Sequence, residues 1–587
     1  MAELNSLIET AQRYAQEDPN PSTTTLIEQW ITNAKAGDGA AIEDLRSRFG
    51  TTLEFGTAGL RGKMEPGTAR MNRVMVMRAS WGLGQVLKTT TQGTPKVVVG
   101  FDGRRQSRQF AEDTCAVLNG LGIEVCLFMD PVPTPLCAFA LLHERANAAV
   151  MVTASHNPPD DNGYKVYWGN GAQIIPPIDS EIASAIQKAP LVSEMRRPTP
   201  PEAHKQGLRH MLSDSTAEAY LDEVLKRAFH PQASSNSDLR IVYTAMHGVG
   251  GRLVQRALHR AGFQGVTVVS AQADPDGHFP TVAFPNPEED GALDLALATA
   301  KEVDAHVILA NDPDADRLAV AYKDGDGYRM LNGNEIGVLL GVDALFATKG
   351  KVKNPLLVNS LVSSTWLGHI AKQEDVAHAE TLTGFKWIAN TAMQRLQDKG
   401  DNFIFGYEEA IGYTVGDLVR DKDGVSAALQ FAQMCARLQN DHSDPIQELK
   451  RLAVKYGLVE TLQWSKRLEG ETGQLRIQQI LADLRAAPLS QLGDEPVETV
   501  TDLKTGQSWV NGEAVEAPDL PASNVLIFQT KAHTRLIVRP SGTEPKIKFY
   551  LEKLGRATDA SEVAQLQDDL TGEMKAIQSH LDRDLGL

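Results

Sequence analysis

Apolar runs with the length of a β-strand alternate with stretches of helical spacing through the first third of the chain. Val97–Val99, Ile123–Phe128 and Ala148–Val152 are short and apolar, as buried strands are. Ser107–Leu121 and Pro135–Arg145, which lie between them, place apolar residues at helical intervals. The order β-α-β-α-β predicts a largely parallel sheet covered by helices.

The same succession returns twice further along the chain. In its second occurrence a Gly-rich turn, His247–Gly251, joins a strand to a helix, and the third occurrence begins with a helix near Glu335. Strands are predicted here at Leu239–Tyr243, Val266–Ser270, His306–Leu309, Leu356–Asn359 and Asn402–Phe405, with a helix at Arg252–Ala261.

The two ends of the chain differ from this pattern. Residues 1–50 predict helices alone. Near the other end, Leu475–Ala487 and Ala560–Leu581 have helical spacing, and they flank the predicted strands Asn524–Gln529 and Thr534–Pro540. A smaller domain in which helices and strands are separated in sequence fits this arrangement.

A chain of 587 residues is too long for one hydrophobic core, so several domains are expected. The predicted fold class is α/β, with three similar α/β domains in series and a smaller C-terminal α+β domain, around a central cleft. Linker signals at Pro198–Pro201 and Asn440–Pro445 guide the boundaries. We expect the four domains at residues 1–205, 206–327, 328–442 and 443–587.

The net negative charge of the chain disfavours some classes of binding partner. The chain has 58 Lys and Arg against 75 Asp and Glu, a formal net charge of −17 at pH 7. Nucleic acid is therefore not an expected partner, because its phosphate backbone requires clustered positive charge. An anionic small molecule would need a local group of cationic side chains.

The chain has no signal for secretion or membrane insertion. Met1–Pro19 lacks an apolar signal core, and no run of about 18 apolar residues occurs. The four cysteines, none in a Cys-x-x-Cys pair, are expected to be buried and reduced. We expect a cytoplasmic protein without a membrane partner, and its oligomeric state is left open.

A serine directly follows the third predicted strand. Ser155 lies in Thr153–Pro158, at the carboxyl end of a strand, where open α/β sheets bind ligands. The adjacent His156 does not indicate a hydrolase triad, since neighbouring side chains point apart and no Gly-x-Ser-x-Gly elbow is present. By itself the segment fits either a nucleophile or an ordinary turn.

Three aspartates at alternate positions follow another predicted strand. Asp312, Asp314 and Asp316 offer hard oxygen ligands of the kind that Mg²⁺ and Ca²⁺ prefer. An EF-hand is excluded, because its sixth and twelfth positions would be Arg317 and Lys323 instead of Gly and Glu. A solvated acidic turn is the other interpretation of this loop.

Three further loops carry groups suited to a phosphorylated sugar. Phe55–Gly62 is Gly-rich and contains Arg61, and Arg539–Lys546 joins a guanidinium to hydroxyl groups and a turn. Gly406–Gly412 contains two adjacent glutamates, which do not suit a retaining glycosidase because neighbouring residues on one loop rarely place their carboxyl groups the required distance of about 5–5.5 Å apart. Each loop, taken alone, is also compatible with a surface turn.

These motifs, in this order, resemble the α-D-phosphohexomutase superfamily, which includes the phosphoglucomutases and phosphomannomutases. The resemblance extends from about Leu53 to about Glu552. The motifs that carry it are Phe55–Gly62, Thr153–Pro158, Asp312–Arg317, Gly406–Gly412 and Arg539–Lys546.

The resemblance implies a role for each matching residue. Ser155 would carry a phosphoryl group, and an oxygen of that group would join Asp312, Asp314 and Asp316 in holding Mg²⁺. The implied catalytic residues are Ser155, His156, Lys165, Arg61 and Arg317. The implied substrate-binding residues are Lys386, Glu408, Arg539, Ser541, Gly542 and Thr543.

The activity that the resemblance implies is that of a phosphoglucomutase, interconverting α-D-glucose 1-phosphate and glucose 6-phosphate through a phosphoserine and a sugar 1,6-bisphosphate. Phosphosugars are the implied partners and glucose 1,6-bisphosphate the implied activator. Phosphopentomutase or phosphomannomutase specificity is the alternative, because Ala410 stands where glucose-handling members have serine. A glucose 1,6-bisphosphate synthase and a non-enzymatic sugar-phosphate sensor are less favoured.

Overall fold

The computed structural model describes residues 2–54, 59–232, 238–468, 470–541 and 545–587. The chain divides into two compact units. Unit 1 comprises Met1–Leu331 and Gly412–Arg437, and unit 2 comprises Asn332–Ile411 and Leu438–Leu587. The four domain boundaries expected from the sequence stay a prediction.

The chain begins with helices, as predicted. They are α1 (Ala2–Glu17), α2 (Pro21–Lys35) and α3 (Gly39–Phe49). Asn20 and Asp38 begin α2 and α3 by accepting hydrogen bonds from backbone N–H groups of the first turn. Their apolar faces form a core with Val74 and Met77, which belong to the next helix.

The first sheet of unit 1 contains the predicted β-α-β-α-β succession. The elements of this part are β1 (Leu60–Lys63), α4 (Arg73–Thr90), β2 (Lys96–Phe101), α5 (Ser107–Gly120), β3 (Glu124–Phe128), α6 (Thr134–His143), β4 (Ala148–Val152), β5 (Asp161–Trp168), α7 (Ile178–Gln187), α8 (Pro200–Lys205), β6 (Arg209–Leu212) and α9 (Asp214–Lys226). The strand order is β1-β5-β4-β2-β3-β6.

Strands β4, β2, β3 and β6 are parallel, whereas β5 runs antiparallel to β4, and β1 antiparallel to β5. All five residues of β4 are buried, as expected for a strand covered by helices on both faces. The strand β5 was not predicted. It places Lys165 in the sheet, opposite Met151 of β4.

The second sheet of unit 1 is built from β7 (Ile241–Thr244), α10 (Gly251–Arg260), β8 (Val266–Val268), α11 (Asp294–Glu302), β9 (Val307–Ala310), β10 (Ala319–Asp324) and β11 (Gly327–Leu331). The strand order is β11-β10-β9-β7-β8, and β10 and β11 form an antiparallel hairpin at the edge. The Gly-rich turn joins β7 to α10, as predicted. A Cβ atom on Gly248 would lie 2.5 Å from the Cα of Pro313, so glycine allows the turn to pack against the aspartate loop.

The next part of the chain contains α12 (Gly333–Thr348), β12 (Pro355–Ser360), α13 (Trp366–Gln373), β13 (Ala377–Thr381), α14 (Phe385–Lys399), β14 (Asn402–Glu408), β15 (Gly412–Val415) and α15 (Gly424–Asn440). In unit 2, β12 pairs in parallel with both β13 and β14. Asn332 and Glu335 form a capping box that begins α12.

The C-terminal part of unit 2 has an antiparallel sheet with helices on it. Its elements are α16 (Pro445–Tyr456), β16 (Leu458–Arg467), α17 (Gly470–Ala486), β17 (Gln491–Leu492), β18 (Glu495–Asp502), β19 (Gln507–Val510), β20 (Glu513–Glu516), β21 (Leu526–Thr530), β22 (Arg535–Pro540), β23 (Lys546–Gly555) and α18 (Val563–Asp584). The sequence analysis predicted β21 and β22 but missed β18, whose Glu- and Thr-rich sequence lacks a clear apolar alternation.

Two expectations concern the whole chain. All four cysteines are buried and free of disulfide bonds, as expected. Within the described ranges, every helix is too short or too polar to cross a lipid bilayer.

Candidate active site

The site in unit 1 is centred on Ser155, just after β4. Its φ angle is +52°, a left-handed conformation that is uncommon for a residue other than glycine. The Ser155 N–H donates to Thr153 Oγ1 at 2.9 Å, and the Ser155 Oγ–H donates to Asp312 Oδ2 at 2.8 Å. The structure thus aims this hydroxyl at the aspartate loop that follows β9.

The three predicted metal ligands lie together in that loop. Asp312, Asp314 and Asp316 are completely buried, and one carboxylate oxygen of each lies within 4.8 Å of the others. Ala315, with φ +53°, turns the chain between the second and third carboxylates. This is a cluster of negative charge with almost no water around it.

Burial and neighbouring charges shift the pKa values of Asp312 and Asp314 in opposite directions. Burial and the negative charges of Asp314 and Asp316 raise the pKa of Asp312 well above its ordinary value. Burial acts in the same direction on Asp314, but Lys165 and the Thr134 hydroxyl outweigh it and lower the pKa of Asp314. Lys165 Nζ donates to Asp314 Oδ2 and to Asp316 Oδ2, each at 2.9 Å.

The donor set fits a divalent cation. Asp314 Oδ1 and Asp316 Oδ1 are buried, and neither accepts a hydrogen bond from the described residues. Such atoms are costly unless something binds them. A cation such as Mg²⁺ takes oxygen ligands of this kind and would also relieve the repulsion among the three carboxylates.

Lys422 is a second ammonium group at the aspartate cluster, and the sequence analysis missed it. Its Nζ lies 3.1 Å from Asp316 Oδ2. The adjacent Asp421 accepts hydrogen bonds from Tyr167 Oη at 2.6 Å and from Gln173 Nε2 at 2.7 Å, which ties this loop to β5 and the turn after it. The Lys-Asp-Gly sequence is too common to have identified this contact.

Thr134, at the start of α6, is another contact that the sequence did not reveal. Its Oγ1–H donates to Asp314 Oδ2 at 2.6 Å, and its backbone N–H donates to the Asp314 carbonyl at 2.9 Å. One residue therefore holds both the side chain and the backbone of the second aspartate in place.

The other predicted catalytic residues surround the serine. His156 Nδ1 lies 3.3 Å from Ser155 Oγ, and Arg61 Nη1 donates to Asn157 Oδ1 at 2.9 Å. The Arg317 backbone N–H donates to Asp312 Oδ1 at 3.1 Å. Burial, with the positive charges of Arg317 and Arg61, lowers the pKa of His156 well below its ordinary value.

All five residues of the predicted catalytic set thus lie around one aspartate cluster, although Phe55–Ala58 of the opening motif is outside the described residues. The cationic groups of Arg61, Lys165 and Arg317 supply the local positive charge that an anionic substrate requires in so acidic a protein.

Unit 2 carries the two predicted sugar-contacting residues on adjacent elements. Glu408 ends β14, and its Oε1 accepts a hydrogen bond from the Gly384 N–H at 2.6 Å. Lys386 lies in the first turn of α14, with its Nζ 5.6 Å from the ring centre of Trp387. Both side chains thus approach the same Gly384 turn, which has a φ of +116° that favours glycine.

Glu409, the second glutamate of this motif, has different hydrogen-bond partners from Glu408. Glu409 Oε2 accepts hydrogen bonds from Ser360 Oγ and Ser363 Oγ, each at 3.3 Å. Its N–H donates to Ser363 Oγ at 3.0 Å. Hydroxyl groups of the chain therefore hydrogen-bond the Glu409 carboxylate, whereas a backbone N–H hydrogen-bonds that of Glu408.

The predicted phosphate loop begins at the end of β22. Arg539 Nη2 donates to Tyr550 Oη at 3.1 Å, and the Ser541 N–H donates to the Lys546 carbonyl at 2.7 Å. Gly542 and Thr543 lie outside the described residues, so their predicted role stays a prediction.

Four family models match successive parts of the chain. Phosphoglucomutase/phosphomannomutase alpha/beta/alpha domain I matches residues 52–192, domain II residues 218–325 and domain III residues 332–452. The C-terminal domain of the same family matches residues 510–573. This confirms the predicted fold class of three α/β domains followed by a C-terminal domain.

Curated relatives extend the match over almost the whole chain. Mouse phosphopentomutase is 37% identical over 97% of this chain and 94% of its own length. A Haemophilus influenzae protein named "Probable phosphomannomutase" is 40% identical over 83% of this chain and 93% of its own length. Human glucose 1,6-bisphosphate synthase is 35% identical over 94% of this chain and 90% of its own length.

Solved structures show the same fold. The phosphoglucomutase parafusin from Paramecium superimposes with a TM-score of 0.65 over 89% of this chain and 96% of its own chain, at 17% identity. At that identity the similarity concerns the fold alone.

Proposed function

Because the chain belongs to the phosphoglucomutase/phosphomannomutase family, we propose that it is a phosphosugar mutase, and that its preferred substrate is a pentose phosphate. It would interconvert the 1-phosphate and 5-phosphate of an aldopentose such as ribose. The observation that carries the mutase proposal is the buried Ser155 hydroxyl, hydrogen-bonded to a carboxylate cluster in which Asp314 Oδ1 and Asp316 Oδ1 accept no hydrogen bond from the described residues.

In this proposal Ser155 is phosphorylated in the active enzyme. A free sugar hydroxyl attacks the phosphorus, and the bond from phosphorus to Ser155 Oγ breaks. The sugar hydroxyl loses a proton and Ser155 Oγ gains one, so the step is balanced. The product of this step is a sugar bisphosphate. The bisphosphate then transfers its other phosphate to Ser155. This transfer releases the isomeric monophosphate and restores the phosphoenzyme.

Phosphoryl transfer depends on positioning and charge neutralisation more than on covalent chemistry. Asp312, Asp314 and Asp316 would hold Mg²⁺, which when bound neutralises charge on the phosphoryl oxygens. Lys165 keeps two of these carboxylates ionised and in place. Arg61 and Arg317 would attract the anionic phosphosugar.

The groups of unit 2 would recognise the part of the substrate that does not react. Arg539 is proposed to bind the non-reacting phosphate, because a guanidinium suits a phosphate in charge and in geometry. Glu408 and Lys386 are proposed to contact the sugar. This division separates phosphate binding from sugar recognition.

The preference for a pentose is supported by the relatives and by one residue of the chain. Relatives from mouse and human that cover 97% of the chain are named phosphopentomutase. Ala410 lacks the hydroxyl that glucose-handling members place after the two glutamates. The glucose specificity first expected from the sequence has less support than this alternative.

A panel of substrates tests the preference directly. Ribose 1-phosphate, glucose 1-phosphate and mannose 1-phosphate should each be assayed with Mg²⁺ and a catalytic amount of the matching bisphosphate. We expect the largest kcat/KM with ribose 1-phosphate. A larger value with glucose 1-phosphate would restore the glucose specificity, and no turnover of any of the three would contradict the mutase proposal.

A hexose bisphosphate synthase is the second candidate, because human glucose 1,6-bisphosphate synthase is 35% identical over 94% of the chain. A synthase consumes a separate phosphoryl donor for every bisphosphate it makes, whereas a mutase regenerates its phosphoserine from the product. Net accumulation of bisphosphate, measured against isomerised monophosphate, distinguishes these two activities.

Ala410→Ser is expected to change the ratio of hexose to pentose kcat/KM in favour of the hexose. The substitution restores a hydroxyl beside the two glutamates, at the position where glucose-handling members have serine. The ratio should move by about tenfold, the effect of one hydrogen bond of roughly 1–1.5 kcal/mol. Ala514→Ser, on the exposed strand β20, is the control and should leave the ratio unchanged.

Arg539→Ala is expected to weaken the binding of every phosphosugar by a similar factor. A lost hydrogen bond to a charged group is worth about 1.5–3 kcal/mol, or roughly tenfold to a hundredfold in Kd. Isothermal titration with ribose 5-phosphate and glucose 6-phosphate measures this. The exposed Arg556→Ala is the control. A change in sugar preference without a loss of affinity would contradict the assignment of Arg539 to phosphate.

A further inference from the structure

Arg104 lies between β2 and α5, and its terminal nitrogens donate hydrogen bonds to backbone carbonyls of residues 155–161. Its Nη2 donates to the carbonyls of Ser155 and Asn157, both at 2.6 Å. Its Nη1 donates to the carbonyls of Pro158 at 2.8 Å and of Asp161 at 3.2 Å. One buried side chain thus binds four carbonyl groups of residues 155–161.

The guanidinium is itself held on several sides. Asp102 Oδ2 lies 3.6 Å from Arg104 Nε, and both side chains have no exposed surface. Asp102 Oδ1 accepts hydrogen bonds from the Arg104 N–H at 3.0 Å and from Ser107 Oγ at 2.6 Å. The ring of Phe279 covers the guanidinium at 5.0 Å. The position of this side chain is therefore well determined.

The backbone of Ser155 needs stabilising contacts because its conformation is unfavourable. A non-glycine residue at φ +52° keeps that conformation only where its surroundings enforce it. Thr153 Oγ1 accepts from the Ser155 N–H, and Arg104 binds the Ser155 carbonyl, so both peptide groups of the serine are fixed. These two contacts direct Oγ toward Asp312.

We propose that Arg104 is a positioning residue for the Ser155 hydroxyl, one that acts through the loop backbone without touching phosphate, metal or sugar. The inference rests on the proposed function, since it concerns the group that is proposed to carry the phosphate. In-line transfer requires the oxygen to be held in line with the phosphorus, and a misplacement of about 1 Å can cost 10²-fold in rate.

The choice of arginine follows from geometry. Its planar fork offers five N–H groups in fixed directions, so two terminal nitrogens can serve four carbonyls at once. A lysine keeps the charge opposite Asp102 but has a single nitrogen with three N–H groups. Arg104→Lys therefore removes the fork while preserving the buried ion pair, and it separates geometry from charge.

The test compares Arg104→Lys with Arg105→Lys, the adjacent arginine, whose side chain is 39% exposed, pairs with Asp160 and donates at 3.3 Å to the Pro159 carbonyl, which is not among the four carbonyls that Arg104 binds. We expect Arg104→Lys to lower both kcat and the rate of Ser155 phosphorylation by a sugar bisphosphate about 10²-fold. KM and the affinity for Mn²⁺, measured by electron paramagnetic resonance, should stay within about threefold of wild type. Arg105→Lys should change none of these quantities.

Two results would overturn the proposal. One is a phosphorylation rate in Arg104→Lys that equals wild type. The other is a loss of rate matched by an equal loss of Mn²⁺ affinity, which would show that the residue acts on the aspartate cluster. Phe279→Leu is a milder variant for use if Arg104→Lys does not fold, and it should slow phosphorylation by a smaller factor.

Hydrogen exchange separates this inference from the proposed function. The peptide that covers residues 153–161 should exchange faster in Arg104→Lys than in wild type or in Arg105→Lys. This expectation holds whether or not the protein accepts a phosphoryl group. Unchanged exchange would refute the positioning role even in an active mutase. Faster exchange in a protein that accepts no phosphoryl group would support the role of Arg104 in the loop and contradict the mutase.

Discussion

Ser155→Ala is expected to reduce mutase turnover to below about 10⁻⁴ of wild type, because removal of a covalent nucleophile leaves only the residual effects of binding and electrostatics. The hydroxyl is buried and donates its hydrogen bond directly to Asp312. Intact-mass measurement should show a phosphate adduct on the wild-type protein that is missing from the variant.

The stability of Ser155→Ala should be affected much less than its turnover. The substitution removes one hydrogen bond, which contributes about 1 kcal/mol to the free energy of unfolding. Ser80→Ala is a matched control, since Ser80 is also fully buried in unit 1 and its Oγ lies 2.9 Å from Tyr164 Oη. The control should lose similar stability and keep full activity. Turnover near wild type in Ser155→Ala would remove this serine from the mechanism.

Asp314→Asn is expected to lower kcat about 10³-fold, and removal of Mg²⁺ by EDTA should stop turnover until Mg²⁺ is returned. A metal that neutralises phosphoryl charge supplies several kcal/mol to the transition state, and every 1.36 kcal/mol is a factor of ten. Asp314 is the aspartate whose charge Lys165 and Thr134 maintain, and its buried Oδ1 accepts no hydrogen bond from the described residues.

Metal binding can be measured without turnover. Mg²⁺ should raise the Tm of the wild-type protein, because a ligand that binds only the folded state stabilises it by mass action. We expect this rise to vanish in Asp314→Asn. Asp326→Asn, in the exposed turn of the β10–β11 hairpin, is the control and should respond to Mg²⁺ like wild type. Full activity in metal-free buffer would contradict the assignment of the aspartates.

In the proposed reaction an anionic substrate binds at a very acidic site, so their mutual repulsion has to be offset. Three buried carboxylates face Lys165 and Lys422 from one side and the Ser155 loop from the other. Without a cation, burial and mutual repulsion raise the pKa of Asp312, which is the carboxylate nearest the serine. The metal and the phosphate carried by Ser155 would therefore stabilise each other.

Local sequence determined the elements with strong, short-range signals. Ala148–Val152 is uniformly apolar, and it forms a strand with the predicted bounds because a strand buried on both faces needs no polar alternation. The aspartate loop and the serine loop were identified because their side-chain chemistry is concentrated within a few consecutive residues. Residues with such signals can be recognised before the chain is folded.

The tertiary structure alone decided which distant residues share the site. Lys165 lies on an unpredicted strand and reaches aspartates about 150 positions later in the chain, while Lys422 arrives from another segment altogether. Arg104 binds carbonyl groups, which every residue has, so no sequence pattern records its partners. Spacing along the chain reports contacts within one strand or helix, but these contacts depend on strand order and loop packing, which only the folded chain establishes.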